Sequence, residues 1–257
     1  MINFTRRGLL TAGAVALIGL AAGCSGGDKP AEKGTGETAS LVETGPAYAL
    51  ITQPVGKPAP DDFAAQLAAA RNGGQVSDVI LLKAKPSVEG PLGFDSLAVV
   101  EFTSDAAYEK WETEAAPKLG KDLIVRRADL LVDDRAKEHG AAPAYVVSHY
   151  EALIPKDEYT AYTKAYIKPN MDGQKAGGVM AGYAMFYERE PVPGIKGNRT
   201  ILVKEYVDEA AFGKSEAIKE KDKVRLLKDP EWKKINDTKT TLRNDISGTL
   251  ALPVKLP

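Results

Sequence analysis

The sequence predicts an α+β chain in which two copies of a β-α-β-β-α-β unit pack against each other as a barrel-like pseudo-dimer. Three observations carry this. Glu101-Phe102-Thr103-Ser104-Asp105-Ala106-Ala107-Tyr108-Glu109-Lys110 recurs at an offset of 104 as Glu205-Tyr206-Val207-Asp208-Glu209-Ala210-Ala211-Phe212-Gly213-Lys214. Upstream, Tyr48-Ala49-Leu50-Ile51-Thr52 resembles Tyr145-Val146-Val147-Ser148-His149 at an offset of 97, a difference that one longer loop accounts for. Finally, apolar periodicity and breaker residues give both halves the same order of elements.

In the first half, 45–134, the stretch 47–53 reads as a strand and 61–71 as a helix with Phe63, Leu67 and Ala70 on one face. Strands follow over 76–85 and 97–102. Ser104 caps a helix carrying Tyr108 and Trp111, and 123–132 returns as a strand. In the second half, 143–254, a strand over 145–154 precedes a helix over 156–167 and strands over 179–188 and 200–207. Helical segments over 209–219 and 230–240 lead to a last strand over 246–252. A four-stranded sheet with both helices on one face leaves its other face bare, and two units in one chain can cover each other.

The element order is that of the ferredoxin-like unit. With the Glu-aromatic-x-x-x-Ala-Ala-aromatic start of each second helix, it resembles the dimeric α/β-barrel superfamily, with its antibiotic-biosynthesis-monooxygenase-like, stress-responsive and chlorite-dismutase-like members. The resemblance covers residues 45 to 254. It implies a fold before it implies an activity.

The first 23 residues read as an export leader. Arg6 and Arg7 precede an apolar run from Leu9 to Ala22, about 14 residues where a spanning helix needs roughly 20. Leu20-Ala21-Ala22-Gly23-Cys24 resembles the lipobox of bacterial lipoproteins, which implies cleavage before Cys24 and palmitate-type acylation of it. Cys24 is the only cysteine, so no disulfide within the chain competes for it. Thr5-Arg6-Arg7-Gly8-Leu9-Leu10 resembles a twin-arginine export motif. Ser25 after the lipid site resembles an outer-membrane sorting signal, so the expected location is the cell envelope, at the outer membrane facing the periplasm. Residues 24–44, rich in Gly, Lys, Glu, Thr and Ser, read as a flexible tether.

The formal net charge is −1, and no basic stripe with interleaved aromatics occurs, which argues against nucleic acid as a partner. Phosphate-binding and dinucleotide glycine loops, CxxC and HExxH are absent. A folded part without thiols and with two histidines cannot build a Cys/His zinc site. Metal ligands and a catalytic constellation are therefore not expected.

His139 falls in the polar stretch between the halves and reads as solvated. His149 is different. Alternation along its strand puts Tyr145, Val147, His149 and Glu151 on the face that looks into a barrel, and Val146, Ser148 and Tyr150 on the face beneath helices. An inward histidine beside a carboxylate is either a hydrogen-bonded core residue or a base, relay or haem ligand. Glu101 and Glu205 sit at matching places within apolar strands, where an acid needs a partner. Candidates are Arg126, Arg127, Lys204 and Lys83, and the alternative is a pair of cavity carboxylates. Tyr183, Met185 and Tyr187 share one strand face, as core or as the wall of an apolar pocket.

Two expectations follow. The first is a membrane-tethered, non-catalytic lipoprotein that binds a small hydrophobic or aromatic molecule in the barrel, using His149, Tyr145, Glu151, Glu101, Glu205, Tyr183 and Tyr187, with no cofactor. The alternative is a monooxygenase-like or haem-handling oxidoreductase with His149, Glu205 and Tyr183 around the cavity.

Overall fold

A computed structural model describes residues 45–86 and 93–257. The leader, Cys24 and the tether expected over 24–44 lie outside the described residues. The strands are β1 (Ala47–Gln53), β2 (Asp78–Ala84), β3 (Ser96–Phe102), β4 (Ile124–Asp134), β5 (Ala144–Ala152), β6 (Met180–Glu188), β7 (Asn198–Tyr206) and β8 (Arg243–Val254). They close into one antiparallel barrel in the order β1-β3-β2-β8-β5-β7-β6-β4. Within each half the fourth strand lies beside the first, the first beside the third and the third beside the second. β2–β8 and β4–β6 join the halves. Closure pairs every strand on both sides and leaves no open edge.

The helices coat the outside. α1 (Phe63–Asn72) and α2 (Asp105–Glu114) serve the first half, and the Ser104 hydroxyl caps α2 at the Ala107 amide. In the second half, α3 (Lys156–Tyr162) runs through a π-helical turn, Thr163–Ile167, into α4 (Lys168–Ala176). α5 (Glu209–Leu226) and α6 (Pro230–Thr238) complete the layer, capped by Asp208 and Asp229. The helix expected over 156–167 thus continues to Ala176. Asn170, Asp172 and Gly173 hid it from a propensity argument.

Alternation along the strands makes three apolar compartments. Inside the barrel lie Tyr48, Leu50, Leu82, Leu97, Val99, Tyr145, Val147, Phe186, Ile201 and Val203. Beneath α1 and α2 lie Ile51, Phe63, Leu67, Val100, Phe102, Tyr108 and Trp111. Beneath α3 to α6 lie Tyr150, Tyr159, Tyr162, Tyr166, Met171, Tyr183, Met185, Tyr187, Tyr206 and Trp232. The barrel is therefore filled by side chains over much of its length, and room for a ligand is found at its mouth. No helix among the described residues is long and apolar enough to cross a membrane.

Candidate active site at the barrel mouth

Each half contributes the same pair to one end of the barrel. Tyr48 on β1 lies opposite Glu101 on β3, and Tyr145 on β5 lies opposite Glu205 on β7. Burial, with the carboxylate across from it, pushes the Tyr48 phenol up to about 12 and Tyr145 higher still, so both stay protonated.

The third member of each group comes from the segment after β4. Arg135 forms an ion pair with Glu101 at 2.8 Å and is pinned from behind by Asp133, also at 2.8 Å. His139 Nδ1 lies 2.9 and 3.0 Å from the two carboxylate oxygens of Glu205. Two glycines let this segment lie across the mouth. A side chain at Gly182 would collide with the backbone of Asp134 to Ala136, and one at Gly140 would stand 2.9 Å from the Val207 carbonyl oxygen.

The mouth holds a cavity of about 480 Å³. Its floor is Ile80, Val99, Ala184, Phe186 and Val203, and its rim carries Asp78, Glu101, Asp133, Asp134 and Glu205 against Arg135 and Lys137. An apolar floor under a few convergent polar groups suits a small aromatic molecule. The acidic rim favours a neutral or hydrogen-donating ligand over an anion. The Glu205 carboxylate is 5% exposed, whereas the His139 ring is half exposed.

Of the residues expected at a site, Tyr145, Glu101, Glu205 and Tyr183 border this cavity. Several expectations need correcting. Neither glutamate meets Arg126, Arg127, Lys204 or Lys83; their partners are Arg135 and His139. The segment 137–142 is exposed, as expected of a connection between the halves, but His139 within it is also held by Glu205. Tyr183 borders the cavity but donates its hydroxyl to Asp172 on α4 at 2.9 Å, and Tyr187 packs on Tyr159 in the helix layer.

His149 lies four residues beyond Tyr145, about 13 Å further along the strand. Its Nδ1 faces Ser247 Oγ at 3.1 Å, and Phe94 packs edge-on against the ring. Burial pushes its pKa down to about 3, which keeps it neutral. Glu151 accepts from the Lys196 and Gly197 amides and from Asn244, and these bonds hold its carboxyl below the usual range. It pins a loop to the barrel.

His149 leaves no room for a haem. Gly93, Phe94 and Ser247 crowd the His149 ring; a single Cβ on Gly93 would sit 2.8 Å from its Nδ1. His139 has the carboxylate-backed imidazole that metal ligands use, in a cavity lined by five carboxylates and by Arg135 and Lys137. Among the described residues no group of three or more His, Cys, Asp or Glu could hold a metal ion.

No family model matches the chain, and no curated protein matches it in sequence. Solved structures of dimeric α/β-barrel type do resemble it. A proposed monooxygenase of Lactobacillus acidophilus aligns over 82% of this chain and 93% of its own, at 11% identity and a TM-score of 0.47. An anthrone oxidase-like protein aligns over 83% and 92%, at 10% identity and 0.48. A haem-degrading enzyme of Listeria monocytogenes aligns over 80% and 98%, at 14% identity and 0.37. Likeness at this level concerns the fold. The expectation of a non-catalytic ligand carrier is nevertheless corrected, since the structures that resemble the chain are described as oxygenase, oxidase-like and haem-degrading proteins.

Proposed function

We propose that the chain is a monooxygenase-like oxidoreductase that binds a small phenol in the barrel mouth and oxidises it to a quinone with dioxygen. The observation that carries this reading is the contact of His139 Nδ1 with both oxygens of buried Glu205 above an apolar floor. In this reading His139 Nε2 takes the phenolic proton, and Glu205 stabilises the imidazolium that forms. Arg135, fixed at the rim, faces the growing negative charge. The phenolate passes an electron to dioxygen, and the two radicals combine to form a carbon–oxygen bond at the ring position para to the oxygen. The O–O bond then breaks as the ring C–H proton leaves, so one oxygen atom becomes the second carbonyl and the other leaves as water. The phenolic and ring hydrogens make that water, and no further reductant is consumed.

Oxygen uptake with 1-naphthol, followed with quinone absorbance, tests this. We expect His139→Ala and Glu205→Gln to lower the rate by about 10² or more while circular dichroism is unchanged. Uptake that both variants retain in full would remove the proposal. No uptake by the unaltered protein with 1-naphthol or substituted phenols would do the same. A Soret band from added haemin that disappears in His139→Ala would replace it with a haem enzyme.

We also infer that the halves 45–134 and 143–254 are tandem ferredoxin-like units forming an intramolecular pseudo-dimer; the matched strand orders and the paired Tyr–Glu registers support this. The lipobox residues support a location at the outer membrane, facing the periplasm, through acylated Cys24. Labelled palmitate should enter the chain in a bacterial host and fail to enter Cys24→Ala; equal labelling of both would refute the anchor.

A further inference from the structure

A second cavity, of about 360 Å³, lies on the other side of the sheet, between the outer faces of β5, β7 and β8 and the helices α4 and α5 with the π turn. Its charge is opposite to that of the mouth. Lys204 enters it from β7, Arg243 and Asp245 from β8, Glu216 and Lys219 from α5, and Lys239 from the turn after α6. Two of these cations are already matched. Lys219 Nζ lies 3.2 Å from Glu216, and Arg243 lies 3.3 Å from Asp245. Lys204 makes no hydrogen bond or ion pair among the described residues, and Lys239 has only neutral partners, Tyr166 Oη and Asn236 Oδ1, each at 3.5 Å. The cavity thus sets four cations against two carboxylates, and neither Lys204 nor Lys239 makes an ion pair with Glu216 or Asp245, an excess of positive charge that a bound anion would relieve.

The walls say what kind of anion. The Arg243 guanidinium lies 3.9 Å over the Tyr150 ring, and Tyr166 stacks on Trp232 at 4.9 Å. Ile167, Met171, Leu202 and Phe212 add apolar surface, while Ser148, Asn170 and Gln174 add hydrogen-bonding groups. The volume suits a single substituted ring.

We propose that this cavity is a binding site for a small aromatic carboxylate, with Lys204 and Lys239 on the carboxylate and the ring against Tyr166 and Phe212. Burial and the neighbouring Lys219 and Arg243 charges push the Lys204 amine down to about 8, and Lys239 is lowered as well. A bound anion would reverse both displacements.

Titration calorimetry of the full chain, with 4-hydroxybenzoate as probe, tests the proposal. Saturable binding is expected, weakened about tenfold or more in Lys204→Met and in Lys239→Met. Glu205→Gln, at the barrel mouth, should leave it unchanged, which separates this site from the proposed oxidation site. Benzamidine, of similar shape and opposite charge, should not bind here. Failure of 4-hydroxybenzoate and its positional isomers to bind at about 10 mM, near the weakest binding worth counting, would overturn the proposal. So would binding that both lysine variants retain in full. Inorganic phosphate competing on equal terms would overturn its aromatic part.

Discussion

The two helix layers face the same kind of sheet with different chemistry. Beneath α1 and α2, Val100 is fully buried among Ala49, Phe102, Tyr108 and Trp111, and the layer is almost wholly hydrocarbon and ring. Beneath α3 to α6, the place of Val100 is taken by Lys204: each residue directly precedes the strand glutamate that pairs with a tyrosine. The layer also holds Arg243 and seven tyrosines, three of which, Tyr150, Tyr166 and Tyr206, line the same cavity as Lys204, and the Tyr162 hydroxyl is buried without a hydrogen-bond partner. A dry layer of the first kind is sufficient to cover the sheet, because close-packed apolar residues supply the burial that stabilises a fold. Cations and an unsatisfied hydroxyl in the second layer weaken that contribution. Their presence points to a demand other than stability, and the π turn that carries Tyr166 to the cavity wall points the same way.

The sharpest way to break this comparison is to place the second layer's residue in the first. Val100→Lys puts an ammonium among rings with no counter-charge, and we expect a loss of more than about 4 kcal/mol, enough to prevent folding. Soluble expression followed by urea unfolding measures it. A variant that folds with a loss below about 1 kcal/mol would mean that the first layer is as permissive as the second.

The barrel interior, which both halves share, supplies the next test. His149 has a folded pKa near 3, below the ordinary value of 6.5. Between those values the unfolded chain binds a proton that the folded chain refuses. Stability is therefore intact above about pH 6.5 and is lost as pH falls toward 3, at up to about 1.4 kcal/mol per pH unit. Urea midpoints across that range should fall less steeply in His149→Gln. Identical slopes would show that the ring is not held neutral by its surroundings.

How much of this was legible in the sequence differs by level. The barrel's elements were, because the repeat around Ala106-Ala107 and Ala210-Ala211 and the strand alternation are local patterns. The inward face of Tyr145 and His149 followed from a period of two, as did the need for a partner at Glu101 and Glu205. The partners themselves were hidden. Arg135 and His139 reach the mouth only because the chain after β4 folds back over Gly182, a non-local event that leaves no periodic trace. One signal was present and unused. Lys204 and Glu205 are neighbours in a strand, so their side chains leave on opposite faces and cannot pair. Lys204 therefore had to lie beneath helices, where a lysine needs its own explanation.

The smallest expected effect is the reverse exchange. Lys204→Met keeps the length of the side chain and removes its charge. At pH 7 the folded protein holds an ammonium that its surroundings disfavour, since the folded pKa of about 8 lies below the ordinary 10.5. Loss of that charge should stabilise the protein by about 1 kcal/mol and raise Tm by a few degrees. The pH dependence gives the effect a signature. From about 8 to 10.5 the unfolded chain binds more protons than the folded one, so the stability of the unaltered protein rises over that window while that of Lys204→Met stays flatter. A Tm that falls on substitution would make Lys204 a structural member of its layer, and the contrast between the two helix layers would then be one of packing style and not of purpose.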